Sequence, residues 1–388
     1  MGKAMKILLM GEYSNVHSTL AKALRQLGHH VVVASDGDGW KDYPRDIDLK
    51  RQSLNKCYSV GYLWRLLRLQ KQFRGFDIVQ LINPVFLPLR SEHLSFFYNQ
   101  LRKHNKKIVM GAYGMDHYYI KACLDFTTFA YSDFAIGKSQ RYSRENETFI
   151  RDWLNGPKGK LNRLVAQDVD AIVSGLYEYH AAYQAHCPWS NKECFIPFPI
   201  ELTPVDGSTE EVSADRLENS TQKSSIDAVR FLVGVQRSRA VYKGTDIMLR
   251  VLRRVEDELK DMCQVTVVEN VPFEKYVRLM GHHDVIVDQL YSYTPAMNAL
   301  EAMARGLVAV TGGEPVSYDL LGEQVLRPII NVVPTDEEGM YQLFHRLVTE
   351  RQTLLPKLKE QSVKYIARHH DAIKVARQYE TLYRSLLN

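Results

Sequence analysis

No stretch of this sequence comes near the 18 or so consecutive apolar residues that a membrane-spanning helix needs. The first apolar run, Ile7 to Met10, is also too short for the hydrophobic segment of a secretion signal. Cysteine is scarce and scattered, at Cys57, Cys123, Cys187, Cys194 and Cys263. The count is odd and no pair has metal-ligand spacing. That excludes a disulfide framework and a zinc site, and suits a reducing compartment. These absences together predict a cytoplasmic protein. Charge of neither sign dominates: 50 basic and 45 acidic residues leave a net +5. The small excess fits a protein that handles anionic ligands and does not call for nucleic acid. A G-x-G-x-x-G fingerprint is also missing. The first strand is followed by Gly11-Glu12-Tyr13-Ser14, so a dinucleotide site of that kind is not expected.

What is present is a β-α rhythm. The chain has 388 residues, more than one hydrophobic core usually serves, so two domains are expected. Lys6 to Met10 is a short apolar run. Val16, Leu20, Ala23, Leu24 and Leu27 then recur at helical spacing, Gly28 ends the helix, and His30 to Ala34 is a β-branched run. This is a β-α-β unit, which implies parallel strands and a right-handed crossover. Strands are expected again at 77–82, 107–111, 171–174 and 194–197, with residues 125–165 helical around an insertion. Residues 201–228 are rich in Thr, Ser, Glu, Asp and Asn and read as a solvated linker. The rhythm restarts at Val229, with strands expected at 264–269, 285–290, 307–310 and 330–333. A final helix is expected from Tyr365 to Asn388. The fold class is therefore α/β, with two Rossmann-like doubly wound domains facing a cleft: residues 1–200, then 229–365, with 366–388 as a C-terminal helix. Open sheets of this kind bind ligands beyond the carboxyl ends of their strands.

Two segments carry chemistry. In Gly234-Val-Gln-Arg237-Ser-Arg-Ala-Val-Tyr-Lys243-Gly244, a strand ends and two cations precede a helix. Helix N-termini attract anions, Arg offers a two-pronged fork and Lys a point charge, so the pattern suits a diphosphate. A solvated basic loop has the same composition. In the second segment, Asp288 to Gly306, Glu301 lies on a helix among small and apolar residues. A carboxylate is seldom placed there without a partner, and beside a nucleotide it can accept both ribose hydroxyls.

The two segments together resemble the retaining, family-4 type of GT-B glycosyltransferase. Arg237 with Lys243-Gly244, and Glu301-Ala-Met-Ala-Arg-Gly306, match that family's motifs, and Tyr379-Glu-Thr-Leu-Tyr383 is similar to its helix that crosses back to the N-terminal domain. The resemblance covers about 229–388 well and 5–198 in outline. It implies a glycosyltransferase that uses a nucleoside-diphosphate sugar without metal or other cofactor and retains stereochemistry. Donor would bind the C-terminal domain, and a glycan, lipid-linked or small-molecule acceptor the N-terminal one, in polysaccharide or glycoconjugate synthesis. Arg237 and Lys243 would hold the diphosphate and stabilise the leaving group, and Glu301 the ribose. The backbone at Val271 would meet the base, and amides of Thr294, Pro295, Ala296 and Met297 the phosphate.

Two positions depart from the family. Tyr293 stands where the first glutamate of the Glu-x7-Glu pair belongs, and Tyr113 where a histidine belongs in Gly111-Ala-Tyr-Gly-Met-Asp116-His117. Asp116 follows a strand end and is expected to face the cleft as a catalytic group, unless it is a cap. Glu12, Asn15, His17, Tyr113 and His117 are acceptor-side candidates; the first three also read as helix-cap residues. The two tyrosines leave open a non-catalytic nucleotide- or glycan-binding protein, and a nucleotide-sugar epimerase remains a further alternative. Asp36/Asp38 and Asp168/Asp170 have carboxylate-pair spacing that is weak evidence for metal. Tyr62 to Arg74 forms a basic amphipathic helix that can lie on an anionic membrane surface or pack as an ordinary domain helix.

Overall fold

A computed structural model describes residues 3–53, 55–202, 228–235, 240–269, 271 and 273–388. Arg237 and nearly all of the expected linker lie outside the described residues.

The N-terminal domain contains β1 (Lys6–Met10), α1 (Val16–Gln26), β2 (His30–Ser35), β3 (Ile47–Asp48), α2 (Lys56–Leu69), β4 (Ile78–Leu81), α3 (Ser91–His104), β5 (Lys107–Ala112) and α4 (His117–Cys123). It continues with β6 (Ala135–Ile136), β7 (Ser139–Gln140), α5 (Arg144–Ile150), α6 (Pro157–Asp168), β8 (Ala171–Ser174), α7 (Tyr177–His186) and β9 (Glu193–Phe195). The sheet order is β3-β2-β1-β4-β5-β8-β9, all parallel. Alternation along β1 explains its apolar run. Ile7 and Leu9 join the cluster on the α1 face, while Leu8 and Met10 join the one beneath α2 and α3. A strand covered on both faces reads as continuously hydrophobic.

The C-terminal domain holds β10 (Val229–Val235), α8 (Ala240–Lys243), α9 (Thr245–Glu258), β11 (Cys263–Glu269), α10 (Phe273–Met280), β12 (Val285–Val287), α11 (Met297–Ala304), β13 (Val308–Thr311), α12 (Pro315–Leu320), β14 (Ile330–Asn331), α13 (Glu337–Thr349), α14 (Arg351–His369) and α15 (Ala372–Leu387). Its parallel sheet runs β11-β10-β12-β13-β14. In both sheets the first strand has a neighbour on either side, so the strand order reverses beside β1 and beside β10. Loops leaving such a point diverge and open a crevice. The two crevices face each other.

One sequence expectation is sharpened and one corrected. Residues 125–165 are helical only from Arg144 onward, the β6–β7 hairpin being the insertion that precedes the helices. A turn of π-helix at 151–155 lies between α5 and α6. The single final helix is two helices. It breaks at His370 and Asp371, where Asp371 caps α15 by accepting from Lys374 N (2.9 Å). Ile200 ties that bend to the end of the first domain, donating to His370 O (2.7 Å) and accepting from Ala372 N (3.1 Å). From the bend α15 runs back over α1, burying Val375, Ala376, Tyr379 and Tyr383. Cys123, Cys187, Cys194 and Cys263 are free thiols.

Candidate functional site

The cleft between the two crevices is a cavity of about 230 Å³. Its C-terminal wall is Gly234, Val235, Lys243, Val268, Val271, Tyr276, Met280, Asp288, Ala296, Met297, Asn298 and Glu301; Ser14, Asn15, Trp40, Lys41 and Tyr43 form the opposite wall. Of the sequence candidates, Lys243, Val271, Ala296, Met297, Glu301 and Asn15 therefore come together. Arg237 lies outside the described residues.

Backbone geometry sets Lys243. Its carbonyl accepts from Leu290 N (2.9 Å), and Gly244 follows at φ +72, where a Cβ would lie 2.7 Å from that of Leu290. Only glycine fits such a left-handed, crowded position, which accounts for the Lys-Gly pair. The Lys243 ammonium lies 3.5 Å from Oδ1 of buried Asp288, which also accepts from Asn298 (3.1 Å). The other oxygen, Oδ2, is buried and has no hydrogen-bond partner among the described residues. Glu301 is held from one side: Arg305, one turn on, donates to its Oε2 (2.5 Å) and its carbonyl (2.8 Å). The N-terminus of α11 has no side-chain cap, so its first N–H groups remain available to an anion.

Several candidates are placed elsewhere. Asp116 is fully buried and caps α4. Tyr119 N donates to Oδ1 (2.9 Å) and the Tyr183 hydroxyl to Oδ2 (2.8 Å). Burial raises its pKa to about 6 against those bonds. It does not face the cleft, because α4 and α7 close over it. The His117 ring bonds the Trp153 carbonyl (2.9 Å) and receives Arg163 (3.2 Å), and burial lowers its pKa. Tyr113 is buried too: its hydroxyl shares a short hydrogen bond with that of Tyr379, and Tyr383 donates to Gln80 beside it (2.6 Å). It pins α15 rather than reaching an acceptor. Glu12 accepts from His17 N (3.1 Å) and from Ser18 N and Oγ (both 2.8 Å), so it caps α1; burial lifts its pKa to about 7. The His17 ring bonds the Gly11 carbonyl (2.8 Å), and burial lowers its pKa to about 4.

The expected row of phosphate-facing amides is also revised. Pro295 has no N–H to offer. Tyr293 N and Thr294 N donate to Glu178 Oε1 (2.6 and 3.0 Å), and the Thr294 hydroxyl to Oε2 (2.5 Å). The Tyr293 ring stacks between Tyr131 and Tyr177, at centroid distances of 4.8 and 5.7 Å, and its hydroxyl accepts from Ala130 N (2.7 Å). Both residues thus join the domains. Cations engage three of the four carboxylates in the two Asp-x-Asp pairs. Asp170 is paired with Arg102 and Lys107, Asp168 with Arg102, and Asp38 with Lys41. Sequence reading missed Trp40, Lys41 and Tyr43; the Asp36-Gly-Asp-Gly turn preceding them was the available signal.

No family model matches the sequence, and no curated protein does. Solved structures match along nearly the whole chain. HepE from Anabaena, solved with UDP and glucose, is 11% identical, with a TM-score of 0.59 over 98% of this chain and 100% of that one. Sucrose-phosphate synthase from Thermosynechococcus elongatus is 14% identical, with a TM-score of 0.63 over 98% and 99%. WaaG, a glycosyltransferase involved in lipopolysaccharide biosynthesis, is 14% identical, with a TM-score of 0.54 over 97% and 99%. At these identities the likeness is one of fold, and the fold is GT-B: two Rossmann-like domains with the cleft between their strand ends.

Proposed function

We propose that this protein transfers a sugar from a nucleoside-diphosphate sugar to a hydroxyl acceptor, in polysaccharide or glycoconjugate synthesis. The observation that carries the reading is the grouping of Lys243, the uncapped start of α11 and Glu301 on one wall of the cleft. Lys243 and the helix start suit a diphosphate, and Glu301 suits a ribose. That HepE was solved with UDP and glucose supports it. In this reading the bond from the sugar to the diphosphate breaks with retention at the anomeric carbon. Charge grows on the departing phosphate, where Lys243, with Arg237 assigned beside it from the sequence, stabilises it without metal. Asp116 is left out of the reacting set by its burial.

The test is a panel of UDP-, GDP- and ADP-sugars, with release of free nucleoside diphosphate followed with and without acceptor extract. Acceptor-dependent release is expected, falling about 100- to 1,000-fold in Lys243→Ala. Binding without turnover would favour a non-catalytic binder, and epimer formed without acceptor an epimerase.

We also propose a cytoplasmic location with peripheral membrane contact. No helix among the described residues is long and apolar enough to cross a membrane. Yet α2 exposes Tyr58, Val60, Trp64 and Leu67 beside Arg65 and Arg68.

A further inference from the structure

The N-terminal wall of the cleft is built from two loops, one after β1 and one after β2. Among the described residues five non-glycine residues have positive φ: Ser14, Asn15, Asp38, Asp42 and Phe126. All but Phe126 lie in these two loops. Such conformations persist where surrounding contacts over-determine them. Asp38 is the contact here. Its Oδ2 accepts from Ser14 N (2.8 Å) and from the Lys41 ammonium (2.6 Å), and Lys41 also donates to Ser14 Oγ (3.2 Å). The rim is therefore preorganised rather than loose. It holds Trp40 at the cavity edge, 58% exposed. A tryptophan placed this way has apolar surface still to cover. Tyr43, buried on the same rim, is kept un-ionised by burial and then by the carboxylates of Asp38, Glu12 and Glu301. Glu301, the carboxylate assigned above to the ribose, lines the same cavity.

We propose that the Asp36–Tyr43 loop is the N-terminal-domain half of the nucleotide pocket, with Trp40 packing over the nucleoside and Lys41, bridging Asp38 and Ser14, holding the loop in position for it. The proposal rests on the nucleotide-sugar reading and extends it: the nucleotide is held by both domains, so binding it joins the two walls. An aromatic face suits any base, because every base offers a flat π surface.

The experiment uses the full chain, titrated with UDP, GDP and ADP by calorimetry and by tryptophan fluorescence. Wild type is expected to bind one of them with a change in indole emission. Trp40→Ala should weaken that binding about 10- to 100-fold. Trp40→Phe should keep most of the affinity and lose the emission change, and Lys41→Met should weaken binding. Trp40 is exposed, so its variants are expected to fold. If Trp40→Ala and Lys41→Met bind as wild type while Lys243→Ala does not, the proposal is overturned and the nucleotide site stands. If wild type binds none of the three, the nucleotide-sugar reading fails, and the proposal with it.

Discussion

The carboxyl of Asp116 is held between the α4 N-terminus and the Tyr183 hydroxyl, out of reach of water. Desolvation lifts its pKa from 3.8 to about 6. The folded state therefore binds a proton that the unfolded chain has released. Stability contributed by this group is present below pH 3.8 and is lost as pH rises towards 6, by about 3 kcal/mol in all. Asparagine caps helices as well as aspartate does. Asp116→Asn should therefore fold, retain turnover, and lose less stability than wild type between pH 4 and 6. Thermal melts across that range give the comparison. A large loss of turnover with an unchanged melting profile would instead return Asp116 to the cleft. The same logic separates the two tyrosines from the positions they occupy in the sequence pattern. Tyr113 and Tyr293 stand where the family resemblance places polar groups that meet ligands, yet one pins α15 and the other stacks between domains. Neither role is legible locally, since Tyr113 meets Tyr379 across 266 residues of sequence.

At the level of elements, legibility followed burial. Strands β1, β4, β5, β10 and β12 are covered on both faces, so their β-branched and apolar runs stand out. β3 and the β6–β7 hairpin are only two residues per strand and carry no such pattern. The cleft positions of Lys243-Gly244 and Glu301 were legible because a strand end, a forced glycine and a helix start are local events; the engagement of the Tyr293 and Thr294 amides was not, because Glu178 comes from another domain. Helix α2 combines both cases. Tyr62 and Leu66 enter the core, with Phe73 in the short 3-10 turn that follows, as an amphipathic pattern predicts. Trp64 and Leu67 stay outside with Arg68, and Lys71 is exposed in the same turn. An exposed aromatic and aliphatic pair flanked by cations matches the interface of an anionic bilayer. The full-length protein is expected to sediment with vesicles containing phosphatidylglycerol and not with phosphatidylcholine alone, less so as salt rises. The double substitution Trp64→Ala with Leu67→Ala should reduce that binding about tenfold. Equal sedimentation of wild type and double variant would remove membrane contact from this face.

In the whole molecule, the contacts between domains gather on one side of the cleft cavity. The β6–β7 region sends Ala130 N to Tyr293, the Tyr131 hydroxyl to Glu314 (2.8 Å) and the Arg141 guanidinium over the Tyr291 ring, while Asp133 accepts from Tyr242 (2.8 Å), next to Lys243. Glu178 adds three more hydrogen bonds, and α15 spans the other edge. The cleft is therefore closed around its ligand site by polar bonds that are broken if the domains separate. Removing Glu178 tests how much that closure depends on one side chain. In Glu178→Ala, Tyr293 N and Thr294 N lose their acceptor inside a buried interface, at about 1–3 kcal/mol each where water does not replace it. The variant should melt several degrees lower and show a larger radius of gyration by small-angle scattering. Glu178→Gln keeps one carbonyl acceptor and should fall between. A nucleotide held by both walls should narrow the gap in melting temperature, because a ligand that binds the closed form shifts the population towards it. Melting and scattering curves that match wild type in both variants would mean that the domains are held together by α15 and the aromatic stack, with Glu178 contributing nothing measurable to closure.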